Sequence, residues 1–179
     1  FSVAWWSDPV VLGHYPQDGL KYFEKYLPEG WEKDMELISQ PLDFYAQNIY
    51  SGKVVRAADN AKGYEYVPHP VGHTKTGMRW PITPDALYWG PYFLYERYKL
   101  PFIITENGIS IPDLVSMDGK VHDPQRQDYI HRYLQAYKRA AEDGVDIRGY
   151  FAWSLMDNFE WSHGYTQRFG LVYVDFETQ

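Results

Sequence analysis

The stretch "PFIITENGIS", residues 101–110, decides the fold class. Its apolar, β-branched run reads as a buried strand, because a strand covered on both faces shows continuous rather than alternating hydrophobicity. The run ends on an ionisable side chain, Glu106, followed at once by Asn107 and Gly108. On the amino-terminal side, "TPDALYWGPYFLYERYKL" (83–100) predicts a helix. Thr83 is placed to cap it, Pro84 suits the first turn, Leu87, Leu94 and Tyr98 fall near one face, and Pro91 is expected to kink it. On the carboxyl-terminal side a second helix is predicted over about 124–143. Asp123 is its cap and Pro124 its first residue; the apolar stripe is Ile130, Leu134, Tyr137 and Ala141, and Gly144 is the stop.

Further out, "SQPLDFYAQNIY" (39–50) and "IRGYFAWSL" (147–155) read as strands, the first preceded by a short helical stretch at 31–38. The segment 51–82, rich in Gly, Pro and Lys, reads as a surface excursion, and one this long is uncommon unless it is functional. Strand, helix, strand, helix, strand implies parallel strands joined by right-handed crossovers, hence an α/β fold. Three such units close poorly on themselves. A (β/α)8 barrel typically takes about 250 residues, so these 179 residues are expected to be part of one. Strands at 43–50, 101–107 and 148–155 then bring Asn48 with Tyr50, Glu106 with Asn107, and Trp153 to one carboxyl-terminal rim. Reacting groups gather at that rim in barrel enzymes.

Composition narrows the function. With 45% hydrophobic and 23% charged residues the chain has the content of a folded domain. No run of about 18 apolar residues could span a bilayer, and the amino terminus lacks the basic-then-apolar layout of a secretory signal. A net charge of -7 opposes a nucleic-acid partner, since phosphate binding needs clustered Lys and Arg. The lack of cysteine excludes disulfides, thiolate metal sites and a cysteine nucleophile, and it favours a cytoplasmic location. His69 and His73 stand four apart, but Pro70 and Gly72 break the helical face that would present them together to a metal, so none is expected. The 17 Tyr and 7 Trp exceed what a core of this size requires, and such rings suit hydroxylated ligands such as sugars.

"ITENG" (104–108), "WSLMDNFEW" (153–161) and "RFGLVYVD" (168–175) resemble the C-terminal motifs of glycoside hydrolase family 1, the β-glucosidase family. "FSVAWWSDPVVLGHYP" (1–16) is similar to the helix and loop after that family's fifth strand. The resemblance implies a (β/α)8 TIM barrel in which residues 1–179 are a C-terminal segment of one domain. They would supply about strands six to eight, with the N-terminal strands and the final helix outside them. The family's Asn-Glu-Pro motif, which carries the acid/base glutamate, does not occur in these residues. The implied partners are therefore a β-glucoside or oligosaccharide substrate and the N-terminal remainder of the same barrel, with no cofactor, nucleic acid or membrane.

Carried over residue by residue, the resemblance makes Glu106 the nucleophile of a retaining glycosidase. Tyr50, in "NIY" where the family usually has Asn-Tyr-Tyr, is the hydroxyl that hydrogen-bonds the nucleophile and the ring oxygen, with Asn48 beside it. Ile49 departs from the pattern and is expected to point away from the site. Glu160 accepts from the sugar's 4- and 6-hydroxyls, helped by Trp161; Trp153 is the platform beneath the ring, joined to Ser154 by a cis peptide. Trp80 contacts the aglycone, with Arg79 replacing the usual glycine, and Phe169 lines the sugar site. A carboxylate at 160 would repel a phosphorylated sugar, which implies plain glucosides, and galactosides or fucosides besides. The implied activity is hydrolysis of terminal β-D-glucosyl residues through a covalent glycosyl-enzyme, and the isolated 179 residues are expected to be inactive. Two alternatives share the same motifs: a myrosinase-like thioglucosidase with glutamine at the acid/base position, and a non-catalytic sugar-binding module.

Overall fold

The structure is a computed structural model and describes residues 2–179. Phe1, the first residue of the stretch 1–16 discussed above, lies outside the described residues. In chain order the elements are α1 (Ser2–Leu12), α2 (Gln17–Phe23), α3 (Trp31–Ile38), β1 (Tyr45–Asn48), β2 (Val55–Ala57), β3 (Tyr64–Tyr66), α4 (Ala86–Tyr98), β4 (Phe102–Asn107), α5 (Pro124–Glu142) and β5 (Ile147–Ala152). The spine is a parallel sheet in the order β1-β4-β5, with Phe102 opposite Tyr45 on one side and Ile147 on the other. The βαβαβ alternation expected from the sequence is thus what forms. The strands are shorter than expected, so Tyr50 and Trp153 stand just past the strand tips.

One face of the sheet is covered by α4 and α5. The buried core joins Tyr45, Phe102 and Ile104 from the strands to Leu87 and Tyr98 of α4 and to Tyr129, Tyr133, Tyr137 and Ala140 of α5. Fully burying one such ring contributes about 1.5–3 kcal/mol, so the aromatic set dominates this layer. The stripe of α5 differs in part from the expected one: Tyr129, Tyr133, Ala136 and Ala140 are buried and Leu134 and Ala141 are exposed, while Tyr137 is buried and Ile130 packs partly buried against the core, as expected. The reason is polar. The Tyr133 and Tyr137 hydroxyls reach past the apolar layer to the carbonyls of Tyr50 (3.1 Å) and Gly149 (3.1 Å), partners that leucine and isoleucine could not use.

The caps differ as well. Thr83 does not cap α4, which starts at Ala86 after a turn; its hydroxyl instead accepts the Gly52 N–H at 2.8 Å. The helix then runs through the buried ring of Pro91 to Tyr98. Asp123 does occupy the N-cap of α5, but its carboxylate makes no cap bond and pairs with the buried Arg126. Gly144 ends that helix with φ 99°, a conformation that side chains disfavour. Within 51–82 the sequence showed only an excursion; β2 and β3 pair there as an exposed antiparallel hairpin, with Arg56 across from Glu65 at 2.5 Å. Among the described residues no helix is long and apolar enough to cross a membrane.

α1 is fastened to α4 by one buried carboxylate. Asp8, fully buried, accepts from Arg97 Nε (2.8 Å) and the Tyr98 hydroxyl (2.7 Å). Burial pushes its pKa up, but the hydrogen bonds from Arg97 and Tyr98 outweigh that and hold the carboxyl below its usual value. The stabilisation is therefore present above about pH 4 and is lost as pH falls further. Asp8→Ala is expected to lower the unfolding free energy by about 2–3 kcal/mol, read from urea denaturation at pH 7, with the difference from wild type shrinking in acid.

Candidate active site

β4 does not alternate regularly to its tip. Phe102 and Ile104 are both fully buried in the helix-covered layer, and a strict period of two would send the residue at 106 the same way. The register slips instead, between Gln47 and Asn48 on the β1 side and between Ile104 and Asn107 on the β5 side. Such an irregularity re-aims the side chains beyond it. Asn107 enters the buried layer. Its Nδ2 donates to the Ile49 carbonyl (2.8 Å) and the Tyr129 hydroxyl (3.2 Å), while its Oδ1 accepts from Tyr150 (2.9 Å). Glu106 is left half-buried at the strand tip, where the Tyr50 hydroxyl donates to its Oε2 at 2.8 Å.

Tyr50 is held from both ends. The Tyr133 and Tyr129 hydroxyls donate to its backbone carbonyl at 3.1 and 3.3 Å. Its ring packs against Trp80 (centroids 5.2 Å apart) and Phe169 (6.3 Å), and these two meet each other at 6.2 Å. Burial, the hydrogen bond to Glu106, and the charges of Glu106 and Glu160 push the phenol well above its usual pKa. It is therefore a permanent donor to Glu106 at any ordinary pH, and Glu160 lies close enough for its charge to be felt. Asn48 sits opposite Glu106 in the ladder and accepts from Thr105 Oγ1 at 2.7 Å. Ile49 packs into the helix-side core, as expected.

The tips of β4 and β5 are in close contact. Trp153 N–H donates to the Asn107 carbonyl at 2.9 Å, and the Trp153–Ser154 peptide is cis. A Cβ on Gly108 would lie 1.9 Å from the Trp153 carbonyl oxygen, so only glycine lets the two backbones approach this closely. Beyond Trp153 the chain folds back on itself around the buried Asp157, which accepts from Arg168 Nη1 (2.5 Å), Gly170 N–H (2.9 Å) and Val174 N–H (3.2 Å). Ser154 and Phe169 are joined through their backbones (3.1 Å), which seats Phe169 against Tyr50. Beside this site a cavity of about 660 Å³ is lined by Asn48, Tyr50, Trp80 and Trp89 among others. Trp161 stands apart: it is 82% exposed and makes no ring contact among the described residues.

A family model for glycosyl hydrolase family 1 matches residues 1–179. The chain belongs to that family. This family 1 chain is 44% identical over 174 residues to the 1,4-beta-D-glucan glucohydrolase of Thermotoga neapolitana, covering 96% of itself and 40% of that protein. It is 42% identical to the bifunctional beta-D-glucosidase/beta-D-fucosidase of Bifidobacterium breve, covering 42% of it. Its structure matches that of the beta-glucosidase from Thermotoga maritima in complex with castanospermine with a TM-score of 0.87 at 40% identity, over 98% of this chain and 40% of that one. The chain thus spans about two-fifths of the length of the relatives it matches, and its βαβαβ unit corresponds to part of the family 1 β-glucosidase fold.

Several residues that organise the site were not among the candidate site residues read from the sequence. Tyr129, Tyr133 and Tyr150 act through Tyr50 and Asn107, and the Asp157–Arg168 pair braces the loop bearing Glu160. A signal for the first two existed in the spacing of Tyr129, Tyr133 and Tyr137 along one helix face. Nothing local marked Asp157 as buried.

Proposed function

We propose that the protein containing this chain is a retaining β-glucosidase acting on terminal non-reducing β-D-glucosyl residues, with Glu106 as its nucleophile. The observation that carries this reading is the 2.8 Å hydrogen bond from Tyr50 to Glu106 Oε2 across the tips of neighbouring strands. It orients the carboxylate and occupies one oxygen while leaving the other to attack. In the first step Glu106 bonds to C1 of the sugar as the C1–O bond to the aglycone breaks, and the aglycone leaves with a proton from a second carboxyl group. In the second step that group removes a proton from water, the water oxygen bonds to C1, and Glu106 is released.

Two such carboxyl groups stand about 5–5.5 Å apart in retaining enzymes. We place the second on the N-terminal part of the barrel, because the family's Asn-Glu-Pro motif does not occur in these residues. β1, β4 and β5 are then strands six, seven and eight. Asn48, Glu160 and Trp161 bind the hydroxyls, Trp153 lies beneath the ring, and Phe169 and Trp80 border the glucose and aglycone sides. The relatives' names, a 1,4-beta-D-glucan glucohydrolase and a bifunctional beta-D-glucosidase/beta-D-fucosidase, support the glucoside assignment.

The test is hydrolysis of 4-nitrophenyl β-glucoside by the protein complete with the N-terminal part, followed by NMR of the first-formed sugar. β-Glucose is expected, whereas α-glucose would exclude a covalent intermediate. The 179 residues alone are expected to be inactive, since acid catalysis is worth about 10²- to 10⁴-fold by itself. Tyr50→Phe is expected to lower kcat about 10- to 100-fold, the worth of one hydrogen bond to a charged group. A kcat equal to that of wild type would remove Tyr50 from the mechanism.

A further inference from the structure

The segment 69–81 lines a second cavity, open to solvent and of about 550 Å³, which the proposed chemistry does not use. Its ionisable lining consists of His69, His73, Lys75 and Arg79, without a single carboxylate. They stand in a chain whose net charge is -7. Neither Lys75 nor Arg79 forms an ion pair among the described residues. The His69 and His73 rings are stacked with centroids 4.2 Å apart, and the carbonyl of Ile82 accepts from His73 Nε2 at 3.1 Å, which fixes that ring. The result is a concave cluster of four basic groups.

Arg79 occupies its position against backbone preference. Thr76 N–H donates to the Trp80 carbonyl (2.9 Å) and Arg79 N–H to the Thr76 carbonyl (2.8 Å), closing a tight turn with Lys75 bridged to Pro81. Arg79 sits in it with φ 62°, the left-handed conformation that such turns ordinarily give to glycine. A strained backbone under a long side chain points to a use for that side chain. A guanidinium fork matches the oxygens of a carboxylate or phosphate. The next residue, Trp80, packs on Tyr50 at 5.2 Å and lines the cavity beside the site, so Arg79 is one residue along the chain from a wall of that site.

We infer that this cavity is an oxyanion subsite, with Arg79 as its principal ligand, for a carboxylate or phosphate group carried by the leaving group of a β-glucoside. The inference rests on the glucosidase reading for its substrate, but the anion site can be probed independently of it.

The kinetic arm compares 4-carboxyphenyl β-glucoside with its neutral methyl ester, in the complete protein and in its Arg79→Gly variant. Glycine relieves the backbone at this position, so misfolding does not confound the comparison. The expected result is that the ratio of kcat/KM for acid over ester falls about 10-fold in the variant, chiefly through KM for the acid. An unchanged ratio, or an equal fall for both substrates, would overturn the assignment. The binding arm titrates inorganic phosphate while following the His69 and His73 ring resonances by NMR. Saturable shifts in the wild type that vanish in Arg79→Gly are expected. Saturable shifts with an unchanged kinetic ratio would show a site for a free anion and overturn the leaving-group assignment. Absence of turnover on every glucoside would sink the glucosidase reading and with it the leaving-group assignment. The titration would then decide the anion site, with absent shifts overturning it.

Discussion

Glu106→Ala in the complete protein is expected to reduce kcat on aryl β-glucosides by about 10⁵-fold or more, because no covalent bond to C1 can form without the carboxylate. The fold should survive: Glu106 is half-buried, and among the described residues its one side-chain hydrogen bond is to Tyr50, outside the core. The deletion leaves a small void beside that hydroxyl, on the face from which C1 is attacked. Added azide should enter it, form a C1–N bond as the C1–O bond to the aglycone breaks, and restore turnover. One displacement in place of two inverts the centre, so the product should be the α-glucosyl azide. A variant keeping more than about 1% of wild-type kcat, well above what removal of a nucleophile leaves, would transfer the nucleophile's role to another residue. Recovery of β-glucosyl azide would imply a second nucleophile still present.

Gly108→Ala is expected to lower both stability and rate, though residue 108 has no reacting atom. The added Cβ would fall 1.9 Å from the Trp153 carbonyl oxygen, against about 3.3 Å for an acceptable C···O contact. The tips of β4 and β5 must therefore part by more than 1 Å, which strains or breaks the 2.9 Å bond from Trp153 N–H to the Asn107 carbonyl. Overpacking of this kind costs about 3 kcal/mol, and a displacement near 1 Å at reacting groups costs about 10²-fold in rate. Urea denaturation and steady-state kinetics on one preparation would read both. Gly149→Ala is the control: its Cβ would meet Ile103 at an ordinary 3.5 Å, so a loss within about 1 kcal/mol is expected. Equal effects from the two variants would show that the Gly108 contact is not special.

Stretches that depend on short-range pattern were legible without coordinates. "PFIITEN" read as a buried strand because its apolar run is continuous, and the helices flanking it read from spacing, proline and glycine; all three formed. The local order of elements then dictated parallel pairing, since strands separated by a helix can pair conveniently in no other way. Where a side chain had two attractive partners, the helix cap was the wrong choice. Thr83 and Asp123 have the side chains of helix caps, but Thr83 is taken by Gly52, which the fold brings up, and Asp123 by Arg126 three residues on in the same helix. The stripe of α5 was misplaced in part for a related reason, since hydropathy ranks leucine above tyrosine and takes no account of the carbonyls of Tyr50, just past β1, and Gly149, within β5.

The alternation of strands and helices, the acidic surface and the presence of Glu106 at a strand tip were all dictated by residue types and spacing, which act over a few neighbours. The aim of Glu106 was not. Period-two alternation from Ile104 sends it under the helices, and the register slip that turns it to Tyr50 arises only when β1, β5 and the tyrosines of α5 compete for the same backbone. Asn107 wins the buried position because three partners from three elements satisfy its amide there, whereas a carboxylate beside the same groups would be desolvated without a countercharge.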